Sequence, residues 1–249
     1  MMKHTMRNNR WLVGRPLAEP RLRLFCFAHA GGSATDFMPW QAQAAPHVEV
    51  CGIQLPGRGA RWSEEPRMAM PVLVETIAHV IASHAEIPFA LFGHSLGAIL
   101  AFEVARYCQS RGLPAPVRLL VSGSSAPCHF GGHQWHALAD DELIEVLKQL
   151  NGTPAEFLEH KELMQLVLPM LRADFELVSS YAYREGARLD MPITALAGTA
   201  DEHVQLDTLS GWEGETHGAY DQHQFAGGHF FIRERSDEVL ACVMGKLGF

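Results

Sequence analysis

Gly93-His94-Ser95-Leu96-Gly97 sets a serine in the G-x-S-x-G pattern. The chemistry such a serine serves is nucleophilic: a base removes the hydroxyl proton and the oxygen attacks a carbonyl. The backbone requirement is strict. The serine stands on a sharp turn between a strand and a helix, at angles that leave no room for a bulky residue two positions to either side. Ala90-Leu91-Phe92 precedes the motif and Ala98-Ile99-Leu100-Ala101 follows it, which supplies a strand before and a helix after. Ser95 is therefore the candidate nucleophile. A glycine turn with an incidental serine would explain the apolar flanks but not where the serine falls.

Fourteen histidines compete to be its base. In an α/β-hydrolase arrangement the acid and then the histidine follow the serine along the chain. His229 lies in Phe225-Ala226-Gly227-Gly228-His229-Phe230-Phe231, just beyond a predicted strand end. Its two glycines let a loop bring the ring to the sheet's edge, and the phenylalanines anchor it. His217 and His223 are nearby but lack that setting, and His94, inside the turn, reads as a support for it. Asp201 follows the predicted strand at 193–197 through Gly198-Thr199-Ala200, where it could orient the imidazole and stabilise its protonated form. Glu202 is a substitute in principle and Asp207 a more remote one; a plain turn aspartate is the alternative role for Asp201. The oxyanion needs donors as well. The Leu96 N–H, directly after the nucleophile, is one, and the Ala30 N–H in His29-Ala30-Gly31-Gly32 is the second.

These residues need a sheet to position them. Alternation in residues 21–27, then a fully apolar run, reads as a strand entering a buried sheet. Further strands are expected at 48–55, 88–92, 117–121 and 193–197, and near 223–225. Val74, Ile77, Ala78 and Ile81 repeat at helical spacing within 70–85, with Pro71 in the first turn. Good helix formers fill 98–108, closed by Gly112 and Pro114, and a last helix is expected over 236–247. Strand and helix alternating in this way argue for an α/β fold with a mainly parallel sheet covered on both faces. Residues 126–189 differ, with no strand signal. Asp140 is a plausible N-cap for a helix to Leu150, ended by Asn151-Gly152; Pro154 reopens helix, and 163–181 reads as more helix with Leu166, Met170 and Phe175 inward. This stretch is an insertion within a single domain spanning 1–249, because so few residues without a sheet bury little alone.

Composition removes other classes. Hydrophobic residues make up 47% of the 249 and charged residues 19%, which suits one full-sized core and not a disordered chain. A net charge of -8 without a basic run lacks the footprint of a nucleic-acid binder. No apolar stretch approaches the roughly 20 residues of a membrane helix, and the polar start of the chain does not read as a secretory signal. Five scattered cysteines, Cys26, Cys51, Cys108, Cys128 and Cys242, suit reduced and mostly buried thiols in the cytoplasm.

Taken jointly, several motifs are more specific than the serine turn. They are Phe27-Ala28-His29-Ala30-Gly31-Gly32, Leu55-Pro56-Gly57-Arg58, Gly93–Gly97, Ser122-Gly123 with Ala126-Pro127, Leu171-Arg172-Ala173-Asp174-Phe175 and Gly227-Gly228-His229-Phe230-Phe231. With these the chain resembles the type II thioesterases, the stand-alone editing enzymes of nonribosomal peptide and polyketide synthases, over nearly its whole length. The resemblance implies an α/β-hydrolase fold, a triad at Ser95, Asp201 and His229, oxyanion donors at Leu96 and Ala30, and a mobile lid over 126–189. It implies hydrolysis of acyl groups held as thioesters on the phosphopantetheine arm of acyl, aminoacyl or peptidyl carrier proteins, with no cofactor of its own. Some relatives carry Met after the nucleophile where this chain has Leu96; only the backbone N–H is required there. His29, Leu143, Leu147, Leu166, Met170 and Phe175 are the candidates to contact substrate or form the lid, although the apolar ones could simply pack the insertion onto the sheet.

Other signals are weaker. Arg58, Arg61 and Arg67 with Trp62 could meet a phosphate or an acidic carrier surface, or pair at the surface with Glu64 and Glu65. His129, His133 and His136 beside Cys128 resemble a metal cluster, but Gly131 and Gly132 interrupt the helix such spacing needs, so no metal is expected. A monomer is expected. The competing readings are a small-molecule carboxylesterase or lipase-like hydrolase, which would use the same triad, and a noncatalytic binding protein on the same fold.

Overall fold

The computed structural model describes residues 9–130, 134–150, 152–153 and 155–249. Seven strands form one sheet: β1 (Leu12–Gly14), β2 (Leu22–Phe27), β3 (Val48–Ile53), β4 (Phe89–His94), β5 (Leu119–Ser122), β6 (Ile193–Gly198) and β7 (Tyr220–Phe225). Their order is β1-β3-β2-β4-β5-β6-β7, with β1 antiparallel to β3 and every other pair parallel. The central strands β3, β4, β5 and β6 are buried along their whole length, as expected of parallel strands covered on both faces. Leu12–Gly14 was not expected as a strand. It has only three residues, and the sheet edge it meets, not an internal pattern, makes it extended.

Helices lie on both faces: α1 (Gln41–Ala44), α2 (Met70–Ala82), α3 (Leu96–Arg111), α4 (Asp140–Leu150), α5 (Ala155–Leu158), α6 (Lys161–Ser180), α7 (Phe231–Glu234) and α8 (Ser236–Lys246). On one face Ile77 and Ile81 of α2 and Ile99 and Phe102 of α3 pack with Phe25, Leu91 and Trp212. On the other, Val239 and Val243 of α8 pack with Phe37, Trp40 and Phe92. Each fully buried side chain of this kind contributes about 1.5–3 kcal/mol, so the two clusters anchor the helices to both faces of the sheet. Pro71 falls in the first turn of α2, and Gly112, at φ 64°, closes α3 in the left-handed conformation that glycine adopts freely.

Between β5 and β6 the described residues form no strand, as expected, apart from a single parallel bridge from Leu189 to Thr216. Asp140 opens α4 instead of capping it and pairs with Arg172 at 2.5 Å; the Ala139 N–H bonds instead to Glu142 Oε2 at 3.0 Å. Asn151, Pro154, His133 and the Gly131-Gly132 pair lie outside the described residues. The helices α4, α5 and α6 share a cluster of their own, with Leu143, Leu147, Leu158, Met164, Leu168 and Phe175. Among the described residues no helix is long and apolar enough to cross a membrane.

Because β2, β4, β5, β6 and β7 run the same way, the loops leaving them gather at one edge of the sheet. That edge, where chain order reverses around β2 and β4, is where parallel α/β sheets place their ligand sites.

Candidate active site

Ser95 sits between β4 and α3 at φ 57°, ψ -119°, a strained region for a side-chain-bearing residue. Holding it there costs on the order of 1–3 kcal/mol, which the surroundings must supply. The two glycines explain how. A Cβ on Gly93 would collide with the Gly97 carbonyl, and one on Gly97 with the Phe27 carbonyl of β2. Ser95 N–H bonds to the Ser122 carbonyl of β5 at 2.8 Å, and the Ser95 carbonyl accepts from Ala98 N–H at 2.9 Å. Helix α3 begins at once, so the Leu96 N–H is among the amides a helix leaves without an internal partner.

His229 leaves β7 through Gly227, whose φ is 130°. Two backbone bonds, Thr199 N–H to the Phe225 carbonyl at 2.8 Å and Ala200 N–H to the Gly227 carbonyl at 2.9 Å, tie this loop to the one after β6. Gly198 permits the approach, since a Cβ there would meet the Gly228 carbonyl. The result is a hydrogen bond of 2.8 Å between His229 Nδ1 and Asp201 Oδ2, with the carboxylate fully buried and the imidazole nearly so. The other carboxylate oxygen accepts the His203 N–H at 2.9 Å. Burial pushes the Asp201 carboxyl up, yet the His229 bond, the His229 charge and His203 together hold it below its usual range. An ionised Asp201 accepts the hydrogen bond from the His229 Nδ1–H, which leaves Nε2 as the ring nitrogen available to act as a base.

Two further imidazoles lie near this ring. His94 is fully buried, its Nδ1 is 2.9 Å from Ser122 Oγ, and its ring lies 5.2 Å from that of His229. Burial above all, with His229 and His29 nearby, keeps it well below the ordinary histidine range and therefore neutral. His29 packs edge-on against Phe230 at 4.9 Å and receives a hydrogen bond from Arg233 at 3.2 Å on Nε2. Burial, then Arg233, His229 and Arg58, push its pKa down to about 3.

Ser95, His229, His29 and Ala30 all line one cavity of about 380 Å³. Its walls come from the helices after β5, where Leu147 of α4 and Met170 and Phe175 of α6 face inward as the sequence suggested. Two of the expected lining residues do not. Leu166 is 59% exposed; it lies roughly 200° around α6 from Met164, so it points to solvent while Met164, Leu168, Leu171 and Phe175 form the buried stripe. Leu143 is fully buried but packs among the helices themselves, away from the cavity wall.

The competitors fall elsewhere. Glu202, Asp207 and His217 are exposed, and His223 Nε2 lies 3.3 Å from Asp221 Oδ1. His129 lines the cavity and His136 Nδ1 lies 2.9 Å from Ser179 Oγ, so the two serve different neighbours. Arg58 is no surface residue: it is 4% exposed and bidentate to Asp174, at 2.6 and 2.8 Å. Arg61 pairs with Glu64 at 2.6 Å beneath Trp11, and Arg67 with Glu176 at 3.2 Å. Sequence reasoning also missed Trp135, His203, Phe230 and Arg233 in the cavity lining. An aspartate inside the apolar run of α6 was the visible sign that something buried awaited Asp174.

A mostly parallel sheet that strains a serine at the β4–α3 turn and draws a histidine and an aspartate from its last two strands is the construction of an α/β-hydrolase. The family model described as Thioesterase domain matches residues 22–247. The gramicidin S biosynthesis protein GrsT of Aneurinibacillus migulanus is 38% identical over 96% of this chain and 94% of its own length. Thioesterase PikA5 of Streptomyces venezuelae is 36% identical over 90% of this chain and 80% of its own. Among solved structures, the type II thioesterase BorB from the borrelidin biosynthetic cluster superposes with a TM-score of 0.87 at 38% identity, covering 94% of this chain and 96% of that one. The chain belongs to the thioesterase family, and its motif resemblance to the type II members is borne out.

Proposed function

We propose that this protein hydrolyses acyl and aminoacyl thioesters held on the phosphopantetheine arm of carrier proteins, and so returns misprimed nonribosomal peptide or polyketide synthases to use. The observation that carries the reading is the strained Ser95 on the floor of the same cavity that His229, held by Asp201, also lines. The names of the relatives, a gramicidin S biosynthesis protein and a type II thioesterase of the borrelidin biosynthetic cluster, support the reaction class.

In this mechanism the thioester carbonyl lies over Ser95. His229 Nε2 takes the hydroxyl proton as Ser95 Oγ attacks, and Asp201 stabilises the imidazolium. The Leu96 and Ala30 N–H groups hold the oxyanion; neither has a hydrogen-bond partner among the described residues. Collapse expels the pantetheine thiolate, which takes the proton from His229. Water then attacks the acyl-enzyme, with His229 again as base, releasing the acid and restoring Ser95. Every proton is moved by a side chain, so the reaction needs no cofactor. Residues 126–189 act as the lid: the apolar walls from α4 and α6 exclude water from the acyl group while the pantetheine arm enters. Cys26, Cys51 and Cys108 are buried, Cys242 is half-buried and Cys128 is exposed, a pattern compatible with reduced thiols in a cytoplasmic enzyme serving such an assembly line.

Mass spectrometry of a panel of acyl-loaded carriers before and after incubation tests the proposal. Release of acyl groups from carriers faster than from soluble esters of the same acids is the expected result. Equal or better use of the soluble esters would replace it with the carboxylesterase reading. Ser95→Ala should abolish release with little change in stability; turnover near the wild-type rate would remove Ser95 from the mechanism.

A further inference from the structure

We propose that Asp174 and Arg58 are positioning residues for the oxyanion hole, and that through them its second donor depends on α6 being docked. The inference rests on the hydrolase reading above. Asp174 is 1% exposed and Arg58 4%, and their bidentate contact joins α6 to the loop after β3. Both also reach the loop that carries Ala30. Asp174 Oδ2 accepts the Gly31 N–H at 2.7 Å, and Arg58 Nη1 donates to the Gly32 carbonyl at 2.9 Å. The Gly32 N–H in turn bonds to the His29 carbonyl at 2.9 Å.

Peptide planarity converts these bonds into an orientation. The His29 carbonyl and the Ala30 N–H share one planar trans peptide, so fixing the carbonyl toward Gly32 turns the Ala30 N–H to the opposite side. With Gly31 N–H and the Gly32 carbonyl also held, each of the four peptide groups from His29 to Ser33 has a fixed member. Helix α6 adds a steric contact to the charge: Gly31 has φ 79°, and a Cβ there would come within 2.5 Å of Leu171 Cδ2. Leu171 and Asp174, three residues apart, thus press on the loop from one face of the helix. A buried ion pair adds little net stability over apolar packing of similar volume. What this one supplies is a geometry, with fork and carboxylate both directed at the backbone beside the donor. Undocking α6 would remove Asp174 and free the Ala30 peptide to turn.

The test is Asp174→Asn in the full-length enzyme, assayed on one acyl-loaded carrier. We expect kcat to fall at least about 10-fold, toward the loss seen when an oxyanion donor is removed, with KM within about twofold. The affinity for a trifluoromethyl ketone analogue of the acyl group, whose adduct with Ser95 places an alkoxide in the hole, should weaken by a similar factor. A purely structural role would lower the melting temperature without moving kcat or ketone affinity below it, and that result would overturn the proposal. Arg58→Lys keeps the charge but loses the fork and carries the same expectation if Asp174→Asn does not fold; failure of both to fold would assign the pair to stability and overturn it too. The double variant should lose no more than the worse single one. Should Ser95→Ala retain turnover, the hydrolase reading itself is at fault; an inactive Ser95→Ala beside an unchanged Asp174→Asn rejects only this inference.

Discussion

Asp201 holds one His229 nitrogen and so decides which nitrogen is left to accept a proton. Asp201→Asn keeps the shape but offers an amide where the carboxylate was, which can favour the wrong tautomer and no longer stabilises the imidazolium. Turnover should fall by about 10⁴-fold, the scale of the same change in the serine protease triad, with the melting temperature little altered; unchanged turnover would move the acid to another residue. His29 makes a separate statement about stability. Its folded pKa of about 3 lies below the unfolded value of 6.5, so the unfolded chain binds the proton first. The stability that the neutral ring contributes is complete above pH 6.5 and is lost progressively as pH falls toward 3. By pH 5 the loss from this ring is on the order of 2 kcal/mol, and His94 adds to it in the same direction. Urea midpoints at pH 7 and pH 5 should therefore separate more in the wild type than in His29→Gln, and equal separations would refute the assignment.

At the scale of elements, α6 shows how far periodicity carries and where it stops. Apolar residues recur along the whole helix, and one-dimensional spacing does not say which of its apolar rows turns inward. Packing against Trp135, which sits edge-on to Phe175 at 5.3 Å, selects the row of Met164, Leu168, Leu171 and Phe175. Leu166→Ala should then change stability by no more than about 0.5 kcal/mol. Phe175→Ala should cost about 3–5 kcal/mol and enlarge the cavity, shifting preference toward bulkier acyl groups. Urea denaturation and a carrier panel read both effects; a Leu166→Ala cost as large as that of Phe175→Ala would reverse the orientation assigned to α6.

For the whole molecule, a net charge of -8 gives no long-range attraction for an acidic carrier. Under the proposed function, docking of such a carrier then rests on local contacts, and salt should not slow it. Raising ionic strength from about 0.01 to 0.15 M shortens the screening length from about 30 to 8 Å, and kcat/KM on an acidic carrier should hold or rise across that range. A steep fall would reveal a basic docking patch that overrides the net charge.

The α/β class, the serine turn, the His229 loop and the Asp201 loop were legible in the chain because each is a local demand. A strained serine needs glycine at fixed offsets, and a strand end needs a glycine-rich turn. What no spacing contained was distance. That Asp201 meets His229 follows from the adjacency of β6 and β7 and two backbone bonds between their loops. That Arg58 leaves the surface for Asp174, 116 residues away in the chain, follows from α6 folding back over the sheet. Local backbone chemistry is written residue by residue, whereas partners far apart in the chain are chosen only when packing closes the space between them.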